Sequence, residues 1–424
     1  MYLSIYSFYI ITLEYNLHIG CGLRFLHVSD THLGARPYGS RDREADFYDV
    51  FSEVIDLAVE YGVSFVLHGG DLFHSSNPSP KAYIEAIRGL ARLRERGIDF
   101  IVAPGNHELP KSAGRGSPIK VLEHIGLLRS PRDPSKPDVF NVGDVSIIVF
   151  SEWASSYLFN PDILQLYNSR IKIALAHITL CDILRDVEGV PERACRDRSY
   201  YSSRIPSGYS YVALGDIHTP WELRVPGRPP IVYPGSTEYL GVDEYRRHSE
   251  RYVYLIDIES SGDISFKRIP LKKPRRWIIV EDTYSNVLNK LNVSSISRLS
   301  STSDKKPILY VKVKEPITRD RRDMLIKHIH RLIDDGLILD YRLEVEVKGS
   351  LVERKYTSGV SVDDILKTEV FGKINIRDMD KILGILASMV KPESDLDNLI
   401  KELIGLLEGS EDTLRVLEVA LKSK

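Results

Sequence analysis

The sequence predicts an α/β protein: a parallel, helix-covered sheet, then antiparallel hairpins, a second small α+β unit and a helical tail. Three observations carry this. Between residues 22 and 107, short apolar runs alternate with helical periodicity as β-α-β-α-β, the pattern of a parallel sheet with helices on its face. Two later stretches, "VFNVGDVSIIVF" and "YVYLIDIESSGDISFKRI", set turn residues between apolar arms, as hairpins do. Beyond the basic stretch "KKPRRW" at 272–277, "WIIVED", "PILYVKVKE" and "RLEVEVKG" alternate with helical segments to about residue 350.

Each element has a local reason. "LRFLHVSD" is an apolar strand ending at Asp30, with His32 past Thr31. Phe47, Val50, Phe51, Val54, Ile55 and Ala58 then recur at helical spacing, and Gly62 closes the helix. "VSFVLHGGD" is a strand ending at Asp71. A helix from Pro80 to Arg96 has proline in its first turn and Gly97 just past its end. "IDFIVAPGNHE" ends at Asn106 and His107, "IKIALAHI" runs to His177, and "YVALGDIHTP" reaches Asp216 and His218. In the tail, Leu396, Leu399, Ile400, Leu403, Ile404 and Leu407 follow the i, i+3, i+4, i+7 rule. The expected organisation is an N-terminal extension (1–21) outside the fold, a main domain (22–271), an α+β domain (276–350) and a helical C-terminal region (351–424).

Composition bounds the function. A chain of 424 residues is too long for one ordinary core, and 43% apolar with 27% charged residues describes a soluble globular protein. With a formal net charge of −2, any nucleic-acid site must be a local basic surface. Three cysteines (Cys21, Cys181 and Cys195) form no C-x-x-C pair, which argues against a disulfide framework or zinc knuckle and for a reducing cytoplasm. The apolar start "MYLSIYSFYIITLE" is too short to span a bilayer, and no Lys or Arg precedes Arg24, so a charged signal-peptide region is missing. It reads as a loosely attached extension or, alternatively, as an extra edge strand.

Five strands thus end at hard or borderline metal ligands: Asp30 with His32, Asp71 with His74, Asn106 with His107, His177, and Asp216 with His218. In open α/β sheets ligands bind beyond the carboxyl ends of strands, so these loops can share one cleft. A single strand-end histidine is ordinarily a satisfied core or loop residue; the joint pattern predicts a metal site. Carboxylate, amide and imidazole together suit manganese, iron or zinc. They outnumber the needs of one ion, and two metals about 3.5–4 Å apart are the usual clamp for in-line attack on a phosphate ester.

The wording D-x-H at 30–32, G-G-D at 69–71, G-N-H-E at 105–108, His177 and G-x-x-H at 215–218 resembles the calcineurin-like metallophosphoesterases. "FLHVSDTHLG", "HGGDLFHSSNPSP", "APGNHE" and "YVALGDIH…PGSTEY" are similar to the nuclease subunit of the double-strand-break-repair complex, the archaeal meiotic-recombination-eleven type and its SbcD relative. The match covers roughly residues 22–270. It implies two packed mixed β-sheets flanked by helices, a small capping domain, and a helical tail that docks on an SMC-like ATPase. It also implies two divalent ions, manganese above all. Asp30, His32, Asp71 and His218 would hold one; Asp71, Asn106, His177 and a further histidine would hold the other. This sequence has Asp216 at that last position. Aspartate reaches roughly 2 Å less far than the outer histidine nitrogen, so Asp216 is either a direct ligand after a small backbone shift or a group that orients His177 or His218.

His107 and His74 resemble the family's catalytic histidines. The implied activity is 3′–5′ exonuclease on duplex ends and endonuclease on single strands. Arg36, Tyr38, Arg41, Arg43, Lys111 and Arg115, on two loops at the cleft mouth, are candidates for backbone phosphates; the alternative is ordinary solvated loops. Family members dimerise through helices matching 80–96 and 118–127. The "KKPRRW" stretch reads as an interdomain hinge. Rival readings are a phosphoprotein phosphatase or cyclic-nucleotide phosphodiesterase, disfavoured because "GGDLFHSS" lacks the G-D-x-x-D-R-G frame, and a non-catalytic scaffold.

Overall fold

The computed structural model describes residues 23–110, 116–189, 200–300 and 304–347. The chain divides into two units, Met1–Lys348 and Gly349–Lys424, and every described residue lies in the first. The expected N-terminal extension and the helical region from Leu396 to Leu407 lie outside the described residues.

In chain order the elements are β1 (Leu23–Val28), α1 (Arg41–Glu60), β2 (Phe65–His68), α2 (Pro80–Arg94), β3 (Asp99–Val102), α3 (Pro118–His124), β4 (Asp138–Val142) and β5 (Val145–Phe150). There follow β6 (Ile171–His177), α4 (Cys181–Glu188), β7 (Tyr211–Gly215), β8 (Trp221–Leu223), β9 (Ile231–Tyr233), α5 (Val242–Arg247), β10 (Tyr252–Ile258) and β11 (Ile264–Pro270). The last group is β12 (Trp277–Asp282), α6 (Tyr284–Lys290), α7 (Val293–Ser300), β13 (Ile308–Val313), α8 (Arg319–Asp334) and β14 (Asp340–Glu344). Serine hydroxyls start the first three helices: Ser40, Ser79 and Ser117 each accept a backbone N–H of the first turn.

Two mixed sheets form the body. One has the order β11-β10-β1-β2-β3, the other β4-β5-β6-β7-β9-β8. Strands β1, β2 and β3 are parallel, as are β5, β6, β7 and β9; the hairpins β4–β5 and β10–β11 supply antiparallel edges. Strand periodicity assigns the layers. Phe25 and Leu67 join Ile147, Leu175 and Tyr211 between the sheets. Their neighbours Leu26 and Val66 face outward into a layer with Phe51, Ile55 and Leu90 of α1 and α2. On the far side Ile148 and Val212 pack under Leu158, Ile163 and Ile183. The result is a helix–sheet–sheet–helix stack that buries the inner strands on both faces, while the edge strands β4, β8 and β11 stay partly exposed.

A third sheet, β12-β13-β14, is wholly parallel and has its own core under α6, α7 and α8. A seam of Tyr239, Trp277, Ile308 and Tyr310, with Val242 and Tyr245 against it, joins it to the body. The basic stretch expected to be a hinge is clamped instead. Glu53 accepts the N–H groups of Lys272 and Lys273, and Glu238 accepts that of Arg275. The Arg275 guanidinium makes two bonds to Asp46, at 2.5 and 2.8 Å, and Lys305 adds a third cation to the same carboxylate. Arg43 completes this network through Asp46 and Glu238. Arg43 is 1% exposed, so its expected role as a phosphate contact is corrected: the guanidinium is consumed inside the fold.

Cys181, at the start of α4, is disulfide-bonded; Cys21 and Cys195 lie outside the described residues. The cysteine pattern therefore does not carry the reducing compartment expected from it.

Asp46 is 1% exposed and faces three cations, so its removal strands buried charge. Asp46→Ala is expected to lower unfolding stability by about 3–5 kcal/mol, read from the shift of the chemical-denaturation midpoint. A loss within the range of an ordinary surface substitution would show that the clamp contributes little.

Candidate metal centre

The carboxyl ends of β1, β2 and β3 in one sheet and of β6 and β7 in the other meet at a single point. Two glycines permit this. A Cβ on Gly215 would lie 2.2 Å from the carbonyl oxygen of Gly69, so only hydrogen lets the two backbones touch. Asp30 N–H donates to Gly70 O and His32 N–H to Asp71 O, which ties the first loop to the second. Gly105 has the same close approach: a Cβ there would meet Asp71 Oδ1 at 2.2 Å.

Backbone strain is concentrated here. Among the described residues five non-glycine residues have positive φ, and four of them are Asp30, His32, Asp71 and Asp216. At φ 99°, Asp216 is well outside the ordinary left-handed region. Such conformations cost roughly 1–3 kcal/mol each and persist where the surroundings impose them.

The side chains fall into two sets around Asp71. Its Oδ2 is 3.9 Å from His32 Nε2, while its Oδ1 is 3.7 Å from His177 Nε2. On the first side, His218 Nε2 lies 3.1 Å from His32 Nε2 and 3.9 Å from Asp30 Oδ1. On the second, His177 Nε2 lies 3.2 Å from Asn106 Oδ1 and 3.5 Å from Asp216 Oδ1. Two donors bound about 2.1 Å from one ion, roughly at right angles, are about 3 Å apart, so these separations suit shared coordination. Each imidazole is also turned correctly. His177 Nδ1–H donates to Gly69 O at 2.8 Å, and His218 Nδ1–H donates to Glu244 Oε1 at 2.7 Å, which leaves both Nε2 atoms facing the cleft. Asp216 reaches the second set with Oδ1, while its Oδ2 accepts the Thr179 hydroxyl and its N–H donates to Asp30.

The electrostatics ask for cations. Burial raises the Asp30 carboxyl to about 6, with His218 and His177 pulling against it. Burial alone would lower His177, but Asp71, Asp216 and Asp30 outweigh it and hold the imidazole well above its ordinary value. His218 is likewise raised to about 9 against burial, by Glu244 and Asp30. Burial and then its imidazole neighbours keep His32 well below its ordinary value. Protons thus gather where positive charge is wanted, among two acids almost closed to water, Asp30 and Asp71, and the part-buried Asp216. The donor set and this charge demand fit divalent metal ions.

His74 and His107 sit beside the two sets. Their rings stack at 5.0 Å, His74 Nδ1 is 3.4 Å from His32 Nδ1, and His107 Nδ1–H donates to His74 O at 2.7 Å. His107 Nε2, 3.8 Å from Asp71 Oδ2, is left free. All nine expected site residues therefore lie together. Of the expected DNA contacts, Arg36 and Arg41 are exposed, and Tyr38 lies under the Arg342 guanidinium at 3.6 Å. Lys111 and Arg115 lie outside the described residues. Two acids were missed. Glu108, fully buried and raised to about 8 by burial and Asp71, accepts the N–H groups of Phe73 and Gly105 and so staples two loops. Its place in G-N-H-E was a usable signal; Glu244, in a surface-like "GVDEYRR", had none.

A family model described as calcineurin-like phosphoesterase matches residues 23–220. The DNA double-strand break repair protein Mre11 of Sulfurisphaera tokodaii is 32% identical over 297 residues, 68% of this chain and 72% of that protein. The Mre11 proteins of Saccharolobus solfataricus and Sulfolobus acidocaldarius are 28% and 27% identical over 407 and 405 residues, with 98% and 100% of their lengths covered. The chain belongs to the Mre11 family of DNA double-strand break repair nucleases, metal-dependent phosphodiesterases built on the calcineurin-like phosphoesterase domain.

Proposed function

We propose that the protein is a two-manganese nuclease that degrades duplex ends in the 3′–5′ direction and cuts single strands, working with an SMC-like ATPase. The observation that supports this best is the division of donors around Asp71, whose two carboxylate oxygens face different imidazoles. Asp30, His32, Asp71 and His218 would hold one ion, and Asp71, Asn106, His177 and Asp216 the other. Bound there, the ions would lower the pKa of water and offset phosphate charge.

The chain's own groups supply orientation and the proton. His107 is fixed through Nδ1, so its imidazolium form can pass the Nε2 proton to the departing sugar oxygen as a water oxygen bonds to phosphorus and the bond to that sugar oxygen breaks. Burial, then His107, holds His74 below its ordinary value, which suits a neutral donor to a phosphate oxygen. Asp216, held by Thr179, fills the site with a third acid. We read it as a direct ligand that weakens the electrophilic pull on the phosphate.

Arg36 and Arg41, exposed beside the first loop, are proposed to meet backbone phosphates. An apolar patch supports a homodimer: Ile84 and Ile87 on α2 and Val121 and Ile125 around α3 are 37–52% exposed, and Arg94 ties the two helices through Ile125 O. The ATPase contact is assigned to the stripe from Leu396 to Leu407. No helix among the described residues is long and apolar enough to cross a membrane, and a cytoplasmic, nucleoid-associated location is part of the same reading.

Three outcomes are expected. His107→Ala should cut manganese-dependent digestion of end-labelled duplex DNA by about 10²–10⁴-fold while manganese still binds; parental digestion would remove His107 from the mechanism. Asp216→His should raise manganese-dependent turnover, and unchanged turnover would count against a weakened electrophilic pull. Ile84→Arg combined with Val121→Arg should sediment as a monomer; a persisting dimer would place the interface elsewhere.

A further inference from the structure

The short helix α5 presents its side chains to two different neighbours. Glu244 turns toward the metal centre. Its Oε1 accepts His218 Nδ1–H at 2.7 Å, and its Oε2 accepts Leu240 N–H at 3.0 Å, Arg251 Nη2 at 3.2 Å and Ser236 Oγ at 3.4 Å. The Arg251 side chain is fully buried, donates through Nη1 to His218 O at 3.0 Å, and lies 4.2 Å over the Tyr239 ring. One acid and one base therefore grip His218 by both its ring and its backbone.

Val242, Tyr245 and Arg246 of α5 hold the third sheet. Arg246 pairs with Glu281 of β12 and lies 4.3 Å over the Tyr310 ring of β13. Tyr245 meets Tyr239 at 5.0 Å, and it and Val242 pack on Trp277, Ile308 and Tyr310. With six residues, α5 has less than two turns and no stability of its own. Its position is set by what it touches on each side.

We propose that Glu244, braced by Arg251, is the positioning residue that holds His218 toward its ion, and that α5 makes this hold depend on the seating of the three-stranded sheet. The inference rests on the reading of His218 as a metal ligand. A carboxylate that accepts the remote N–H of a ligating imidazole fixes its tautomer and rotation, and losing such a partner costs 10- to 100-fold in metal affinity. Arg246 meets Asp243, Glu281 and the Tyr310 ring, none of them a proposed ligand, so its influence on His218 runs through α5.

The test is calorimetric titration of the full chain with manganese chloride, with thermal unfolding followed for every variant. Glu244→Ala should weaken one manganese equivalent by about 10- to 100-fold. Glu244→Gln, which keeps the shape and an acceptor oxygen, should lose less, and it decides the matter if the alanine variant does not fold. Arg246→Ala should weaken the same equivalent several-fold in the parent and leave it unchanged when Glu244→Ala is already present. Equal losses from Arg246→Ala in both backgrounds would overturn the coupling. Parental affinity in the Glu244 variants would overturn the positioning role. Manganese binding untouched by His218→Ala would overturn the ligand reading itself, a failure distinguishable from the other two.

Discussion

The contact on which the rest depends is between two backbones. At Gly69 and Gly215 the two sheets touch with no room for a Cβ, and that approach lets loops from both sheets share one set of side chains. Any larger residue there would push Asp71 of one sheet away from His177 and Asp216 of the other. The apolar layer between the sheets, from Phe25 and Leu67 to Leu175 and Tyr211, sets the spacing below this point. Packing between sheets and coordination at their ends are one constraint, because close-packed interiors transmit displacement rather than absorb it.

Strain and charge at the centre follow from that geometry. Asp30, His32, Asp71 and Asp216 have positive φ, which residues other than glycine seldom adopt, and each is tied by hydrogen bonds to another loop. The same crowding buries Asp30, Asp71 and His177 almost completely. Like charges that close in a low-dielectric setting are unfavourable without a counter-charge. A fold that maintains both strain and unbalanced acid at one point has the features of a functional site, not of a stabilising one.

Much of this was legible locally. The alternation of apolar runs and helical periodicity foretold the parallel strands, and the turn residues at Gly143–Asp144 and Gly262–Asp263 foretold both hairpins, because hydrophobic period and turn chemistry are properties of a few neighbouring residues. The site was legible too, since every one of its loops carries a carboxylate, amide or imidazole immediately after a strand. What misled was charge. Arg43 and Arg275 look like surface cations in "GSRDRE" and "KKPRRW", yet Arg43 is buried against Glu238 and Arg275 against Asp46, 195 and 229 residues away in sequence. No local pattern distinguishes a basic residue that meets solvent from one whose partner lies in a distant segment.

The sequence by itself determined which residues could ligate metal, at which strand ends, and in what family. Tertiary structure alone decided that the two oxygens of Asp71 face different imidazoles, that Asp216 reaches the cleft from a backbone at φ 99°, and that Glu244 and Arg251 stand behind His218. The difference is physical. Ligand chemistry and strand periodicity reside in residue type and short-range spacing, whereas distances of about 3 Å between side chains on separate sheets exist only once the intervening core has packed.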